Sequence, residues 1–486
     1  MDSDSDSESF VAENVGLHFL SLGISEGCPT ARERTGTSIG NKFGVLLWGS
    51  QSGGIFFAAR TLLIRMEAKL QAPFHLPGPV VRANTSSIKE RAPANVESPL
   101  KSANKARDTN TSEAMRGETH YSSTNPGIKN LPHKTLEALT TAPGRPGQAY
   151  VLQSSCGETI YIPCSRSATR LLVTGKETDN AFAVVGTAGS HSAPIGFHFH
   201  REAHDVFLCL KGQVNVWAGD TQCRTLSQGD FASVPPGVVH QYQILGPYTE
   251  FVGLIVPGGW EEFFRFIGEP YDTQGPLYPL TDDRNVFEVL IPKLKAAAEK
   301  FDMIPVPDHR GVEPQPWADD TDNTLPGVLE PYFLRAGSGP RYLLGGIVAS
   351  PLIGTAESNN RFSIGSIEGS SWHEKLARSP LSETFTFDDV HHAFQVAEGS
   401  MTFILNGSES ATLNVGETIY IPARTSFSMQ IKSRYTKIYA FISGEGIMDL
   451  LCKAGKPYHQ PVPPEKTQDW DRASLEALQE ELKFRM

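Results

Sequence analysis

The sequence predicts an all-β chain: two β-barrel-type units in tandem with short helices, preceded by a disordered N-terminal segment. Three observations carry this. From about residue 146, short apolar runs such as "LLVTG", "AFAVVG", "VFLCLKG", "VNVWAG" and "FASVPPG" recur with Gly and Pro between them. That is the spacing of short strands and turns in a sandwich or barrel. Glycine and proline landmarks then repeat at one ungapped offset: Gly212, Gly229 and Pro235 are matched 187 residues later by Gly399, Gly416 and Pro422, the mark of an internal duplication. Before residue 146 the chain is different. "RANTSSIKERAPANVESPLKSANKARDTNTSEAMRGETHYSSTNPG" is rich in Ser, Thr, Asn, Lys and Pro and has few large apolar residues. It cannot bury enough surface to offset its ordering entropy.

Taken in order, residues 1–145 are expected to be mostly disordered, and removal of 1–140 to leave folding and activity largely intact. Residues 146–270 form the first β unit, closed by "WEEFFRFI", where Trp260, Phe263, Phe264 and Ile267 have helical spacing. This helix is expected to close the barrel rather than cover a pocket. Residues 271–330 form a linker with a helix through "VFEVLIPKLKAAAEKF", capped by Asp282 or Asp283 and split or kinked at Pro292. Residues 331–455 form the second β unit, with strands resuming near "RYLLGGIV". Residues 456–486 form a tail whose helix, "RASLEALQEEL", places Leu475, Leu478 and Leu482 on one face. "GETIYIPC" at 157–164 nearly duplicates "GETIYIPA" at 416–423, but out of register with every other landmark, and reads as coincidence.

Composition excludes several classes. The 486 residues suffice for two or three domains, and the net charge of −11 repels phosphate backbones, so no nucleic-acid partner is expected. The most membrane-like stretch, "FGVLLWGSQSGGIFFAARTLLI" at 43–64, is interrupted by Gln51 and Arg60, and no membrane span is expected. "MDSDSDSESF" at the N-terminus lacks the basic and apolar regions of a secretory signal. A cytoplasmic protein is expected, with secretion left open should the natural N-terminus differ. Six cysteines without a CxxC pair fit free thiols in a reducing compartment.

Chemistry concentrates in "GFHFHREAHDVFLCLKG", residues 196–212. Alternate side chains of a strand share a face, so His198 and His200 point the same way, a natural start to a metal site. If the chain re-enters the sheet near 205, Asp205, Phe207 and Cys209 face inward, while His204 and Val206 face out. Cys209 reads as a small buried hydrophobe. The Pro-Pro-Gly turn in "GDFASVPPGVVH" reverses the chain and delivers a third imidazole, His240.

These two stretches resemble the motifs of the cupin family. In the first, His198, His200, an acid at 205 and Gly212 match, although Gly196 stands too close to His198 to be the leading glycine. The second, G-x5-P-x-G-x2-H, is matched in full by Gly229, Pro235, Gly237 and His240. The resemblance implies two jelly-roll-type β-barrels in tandem. It implies a divalent metal held by His198, His200, His240 and an acid. Asp205 stands where the family has Glu, one methylene shorter; Glu202 and His204 are rivals for the acid. At the repeat offset the ligands fall on Phe385, Phe387, His392 and Phe427. Three apolar rings pack as a core and cannot hold an ion, so one metal per chain is expected.

Within the cupins, "RLLVTGKETDNAFAVVG" and "PYFLRAGSGPRYLLGG" are similar to the fungal quercetin 2,3-dioxygenase (flavonol 2,4-dioxygenase) family, over roughly residues 146–460. That resemblance implies copper first, with iron, manganese, nickel and cobalt as alternatives, and a small aromatic substrate and O2 as partners. O2 would add across the flavonol heterocycle, releasing carbon monoxide. Asp205 would take the proton of the substrate hydroxyl, and Phe207 and Tyr242 would flank the bound ring. The other readings are a different cupin oxygenase acting on an enol or phenol, and a non-catalytic metal-binding bicupin. A homodimer is the assembly left open.

Overall fold

Strand after strand in this chain turns an apolar face inward, and two barrels result. The computed structural model describes residues 133–272, 278–279 and 281–486. The segment expected to be disordered lies, up to residue 132, outside the described residues, as does the membrane-like stretch at 43–64. Among the described residues no helix is long and apolar enough to cross a membrane.

The elements that build and support the site are β1 (Tyr150–Leu152), β2 (Ser167–Val173), β3 (Ala183–Gly189), β4 (His198–Phe199), β5 (His204–Ala218), β6 (Phe231–Val234) and β7 (His240–Val256). They are followed by helices α1 (Glu261–Ile267), α2 (Val286–Val289) and α3 (Ile291–Ala298) and strands β8 (Ile304–Pro305) and β9 (Tyr332–Leu334). In the second barrel, β10 (His392–Glu398) and β11 (Thr418–Ile421) take the places of β5 and β6. In the first, β7 runs antiparallel to both β3 and β5, β2 pairs with β3, and β6 with β5.

"VFLCLKG" and "VNVWAG" form one strand, β5, that bends through Gly212. This glycine has φ +68°, and a Cβ there would lie 2.1 Å from Tyr248 O. Its repeat twin Gly399 has φ +72° and would meet Tyr435 O at 2.2 Å. The same steric demand at both positions explains why the landmark survives in both halves. Glu158–Ile162 pairs with β2 and with Glu269–Pro270, whereas β11 pairs with β10 and β1. The two "GETIYIP" segments therefore occupy different places in their barrels, as their register suggests.

Each barrel borrows a strand. β9, which precedes the second barrel, pairs with β6 of the first, Phe231 opposite Leu334. β1, which precedes the first barrel, pairs with β11 of the second, Thr418 opposite Leu152. Two tyrosines secure the exchange in the same way: Tyr150 donates to Leu172 O at 2.9 Å and Tyr332 to Leu352 O at 2.8 Å. Between the barrels lies a shared core that includes Leu172, Phe182, Leu208, Phe231, Leu334, Phe362, Tyr420 and Phe441, all buried. Each such side chain contributes roughly 1.5–3 kcal/mol relative to exposure.

Three local expectations change. The linker contains two short helices that meet at Leu290. Asn285 caps the first, its side chain accepting from Phe287 N. Asp282 is instead engaged by Arg284 and Tyr161. Pro292 sits in the first turn of α3, where a missing N–H is harmless. The C-terminal helix is only Arg472–Glu476, yet Leu475 and Leu482 are buried in the second-barrel core and Leu478 packs on it. Finally, Lys134–Thr135 runs parallel to Glu409–Ser410 and Ala138–Leu139 parallel to Val151–Leu152. The end of the segment read as disordered is thus part of the second barrel's sheets. Deletion of residues 1–140 is accordingly expected to lower the melting temperature by about 5 °C. Deletion through residue 152, which also removes β1, should abolish cooperative unfolding of the second barrel; calorimetry of the two truncations checks this.

Candidate metal centre

Backbone register brings the three imidazoles together. His198 on β4 and His240 at the start of β7 are directly paired across the sheet, and His200 follows two residues after His198. The Pro-Pro-Gly turn is tied to the same place: Gly237, at φ +80°, donates its N–H to His200 O at 2.6 Å. The rings lie 4.4–5.2 Å apart, and one ligand atom from each falls within 4.8 Å of the others.

Each ring is oriented by its far nitrogen. Nδ1 of His198 faces Gly196 O at 2.9 Å, Nδ1 of His240 faces Val238 O at 2.9 Å, and Nδ1 of His200 faces Asp302 O at 2.5 Å. A carbonyl only accepts, so each Nδ1 carries the proton and each Nε2 presents its lone pair inward. Nε2 of His240 is buried with no hydrogen-bond partner. Burial, reinforced by the His240 and His200 rings, holds His198 well below the ordinary imidazole value, so the ring is neutral, as a ligand must be. This donor set fits a divalent ion.

Asp205 adjoins two of the three rings. Its Oδ2 lies 3.3 Å from Nε2 of His200 and 3.4 Å from Nε2 of His240, and its buried Oδ1 has no partner. Burial raises its pKa, and only while a proton is shared with His200 and His240 does that contact outweigh burial and hold the carboxyl below the usual range; with Nε2 unprotonated, as a metal ligand must be, burial governs and the carboxylate is the better base. Across the contact, burial opposes a charge on His200, yet the Asp205 carboxylate raises its pKa. The rival acids lie elsewhere. Glu202 is exposed. His204 turns away from the imidazoles, as the alternation requires, but into protein rather than solvent: it is fully buried, with Nε2 2.8 Å from Ser233 Oγ. Burial lowers its pKa to about 3.

The imidazoles open onto a cavity of about 1180 Å³. Phe207 and Tyr242 both line it, with ring centroids 5.8 Å apart, and Phe251 joins them. Cys209 is buried behind Phe207 in the barrel core. α1 does more than close the barrel: its Phe263, Phe264 and Ile267 and the Trp260 that precedes it all line the cavity, and the Trp260 ring meets the His200 ring edge-on at 4.4 Å. Burial, with the nearby Asp205 charge, pushes the Tyr242 phenol up to about 12, so it remains a neutral donor.

Sequence reasoning missed two contributors. Trp260 stood in a recognisably aromatic helix, and only its placement was unread. Asp302 acts through its main-chain oxygen, brought in by β8 pairing with β4, and a carbonyl leaves no signature in sequence. In the second barrel, Phe385, Phe387 and Phe427 occupy the equivalent interior and are almost fully buried. Phe484 from the C-terminal tail stacks on Phe387 at 5.3 Å. His392 accepts a hydrogen bond from Ile447 N.

Fold and site together define a bicupin, and residues 187–251 match the cupin domain family. The chain is 28% identical over 316 residues to a quercetin 2,3-dioxygenase of Aspergillus japonicus, covering 60% of this chain and 87% of that one. Over 147 residues it is 35% identical to a quercetin 2,3-dioxygenase of Bacillus subtilis, covering 30% of this chain and 42% of that one. An oxalate decarboxylase structure from Bacillus subtilis aligns with 63% of the chain and 78% of its own length, at 16% identity and TM-score 0.37, too distant to bear on the chemistry.

Metal content should follow the imidazoles. Elemental analysis of the purified full chain is expected to give one divalent ion per chain. His198→Ala, His200→Ala and His240→Ala should each remove it, while Phe385→Ala leaves the stoichiometry unchanged. Two tightly bound ions per chain would contradict this assignment.

Proposed function

We propose that the chain is a metal-dependent dioxygenase that opens the flavonol heterocycle with O2 and releases carbon monoxide, with copper ahead of iron, manganese, nickel or cobalt as the metal. The observation that carries this is a carboxylate, Asp205, set against two of three convergent imidazoles at the base of an aromatic-walled cavity. Similarity to quercetin 2,3-dioxygenases supports the substrate class.

His198, His200 and His240 would hold the ion, which when bound supplies Lewis acidity to a substrate hydroxyl brought to it. The remaining work falls to the chain. Asp205 accepts the hydroxyl proton, and its unpartnered Oδ1 is the available acceptor. Phe207, Tyr242 and Phe251 on one wall and Trp260 on another hold a planar ring system and keep water from it. Trp260 and Asp302 fix the His200 ring from its edge and from Nδ1.

A second reading, a cupin oxygenase acting on another enol or phenol, is favoured by two features. Asp205 reaches one methylene less far than the Glu of the motif. The cavity also exceeds the roughly 300–1,000 Å³ usual for a drug-sized ligand. A panel of flavonols and metals, scored for carbon monoxide release, separates the two. Release from a flavonol, lost in His198→Ala, is the expected result; O2 uptake with other phenols and no carbon monoxide would select the second reading.

Asp205→Asn is expected to keep the fold and much of the metal but to lose about 10²-fold or more in turnover, the scale for removing a general base. Asp205→Glu should retain or raise flavonol activity. Glu202→Ala should be mild. His204→Ala should spare turnover per folded molecule yet destabilise by about 1–3 kcal/mol, because the buried Ser233 hydroxyl loses its partner. Steady-state kinetics beside thermal melts of the four variants checks the set.

A further inference from the structure

The imidazoles and Asp205 all belong to the first barrel, yet one side chain of the second reaches the backbone that carries Asp205. Arg361 donates from Nη1 to Glu202 O at 3.1 Å and from Nη2 to Val256 O. These carbonyls flank one register of the sheet: Val256 pairs with His204, and Ile255 with Asp205. Glu202 lies in the turn between β4 and β5, between the His200 and Asp205 positions. The next residue, Phe362, is fully buried and meets the His204 ring edge-on at 4.9 Å. Arg361 therefore holds the turn that leads into β5 and the end of β7 that pairs with it, while Phe362 packs on the first side chain of β5.

Comparison of the two halves shows that this grip is one-sided. "ETDNAF" at 177–182 and "ESNNRF" at 357–362 are structural twins. Glu177 and Glu357 each accept an N–H from the arm leading to an exchanged strand, from Gly144 and Gly327 respectively. Asp179 and Asn359 both adopt the left-handed conformation at the helix end, and Phe182 and Phe362 are both buried. The twin of Arg361 is Ala181, which cannot reach across. The guanidinium occurs on the side that meets the metal barrel.

We infer that Arg361 is a positioning residue for Asp205: through Glu202 and Val256 it sets the backbone from which the short carboxylate reaches His200 and His240. This rests on the reading of Asp205 as the carboxylate of the site. Hydrogen bonds from a charged donor are stronger than neutral ones, and a side chain as short as Asp tolerates little backbone displacement. The second barrel, its own interior filled by phenylalanine, thereby contributes to the chemistry of the first.

The test uses the full chain loaded with Cu(II), comparing Arg361→Ala, Arg361→Lys, Asp205→Asn and the double variant of Arg361→Ala with Asp205→Asn. Arg361→Ala is expected to lower kcat about tenfold, the lower scale for groups that orient a metal site, with KM within about twofold. Its Cu(II) electron paramagnetic resonance spectrum should shift toward that of Asp205→Asn, and Arg361→Lys should restore part of both. In the double variant, the loss should be no greater than in Asp205→Asn alone. A lowered melting temperature with unchanged kcat and spectrum would overturn the inference, as would losses that multiply in the double variant. If Asp205→Asn itself behaves like wild type, the reading of Asp205 fails and takes the inference with it. If Asp205→Asn is slow but Arg361→Ala is not, the inference alone fails.

Discussion

Main-chain hydrogen bonds between β6 and β9, and between β11 and β1, close each barrel with a strand from the other half of the chain. A sheet edge left unpaired exposes a row of donors and acceptors that must find partners. Here the partners are intramolecular and reciprocal, so neither barrel is complete without the other. The shared core between them follows from the exchange, because the crossing arms bring Tyr150, Leu152, Tyr332 and Leu334 into one apolar layer. That layer in turn fixes where Phe362 meets β5 and where Arg361 meets the turn before it and the end of β7.

The imidazole cluster repeats this dependence at smaller scale. His198 and His240 each turn Nδ1 to a carbonyl two residues earlier in the chain, just before the strand each histidine begins, so sequence-local geometry suffices to aim them. His200 depends on Asp302, a hundred residues away in the linker. Two of the imidazoles are self-oriented and the third is set by a tertiary contact. The linker, which sequence composition presents as a connection, is part of the site.

The fold class and the histidine cluster were legible because both rest on local periodicity and fixed spacing. Alternation put His198 and His200 on one face, and the G-x5-P-x-G-x2-H spacing delivered His240. Asp205 was singled out by its motif spacing to Gly212, with Glu202 and His204 as rivals, and Phe385, Phe387 and Phe427 announced a filled second barrel. What could not be read depends on long-range pairing. Nothing in "YVL" or "YFL" says which barrel the strand joins. Asp302 contributes only a peptide oxygen. Trp260 was visible as part of an amphipathic helix, but amphipathicity fixes a buried face without saying whether that face meets core or cavity. Asp282 and Asp283 looked like caps, yet Arg284 and Tyr161 compete for Asp282 and leave Asn285 to cap α2.

Exchanged strands also impose an order on synthesis. The first barrel's last strand before the linker ends at Val256, but the edge of β6 is not covered until Tyr332–Leu334 has left the ribosome. At about 5–20 residues per second, that interval is roughly 4–16 s. β1, made earliest, waits longer still for β11, some 270 residues downstream, roughly 13–54 s at the same rate. During that wait a nascent chain carries an open sheet edge and an uncovered apolar layer. The mature protein's stability as an interlocked pair is thus matched by a vulnerable interval while it is being made, when chaperone protection matters most.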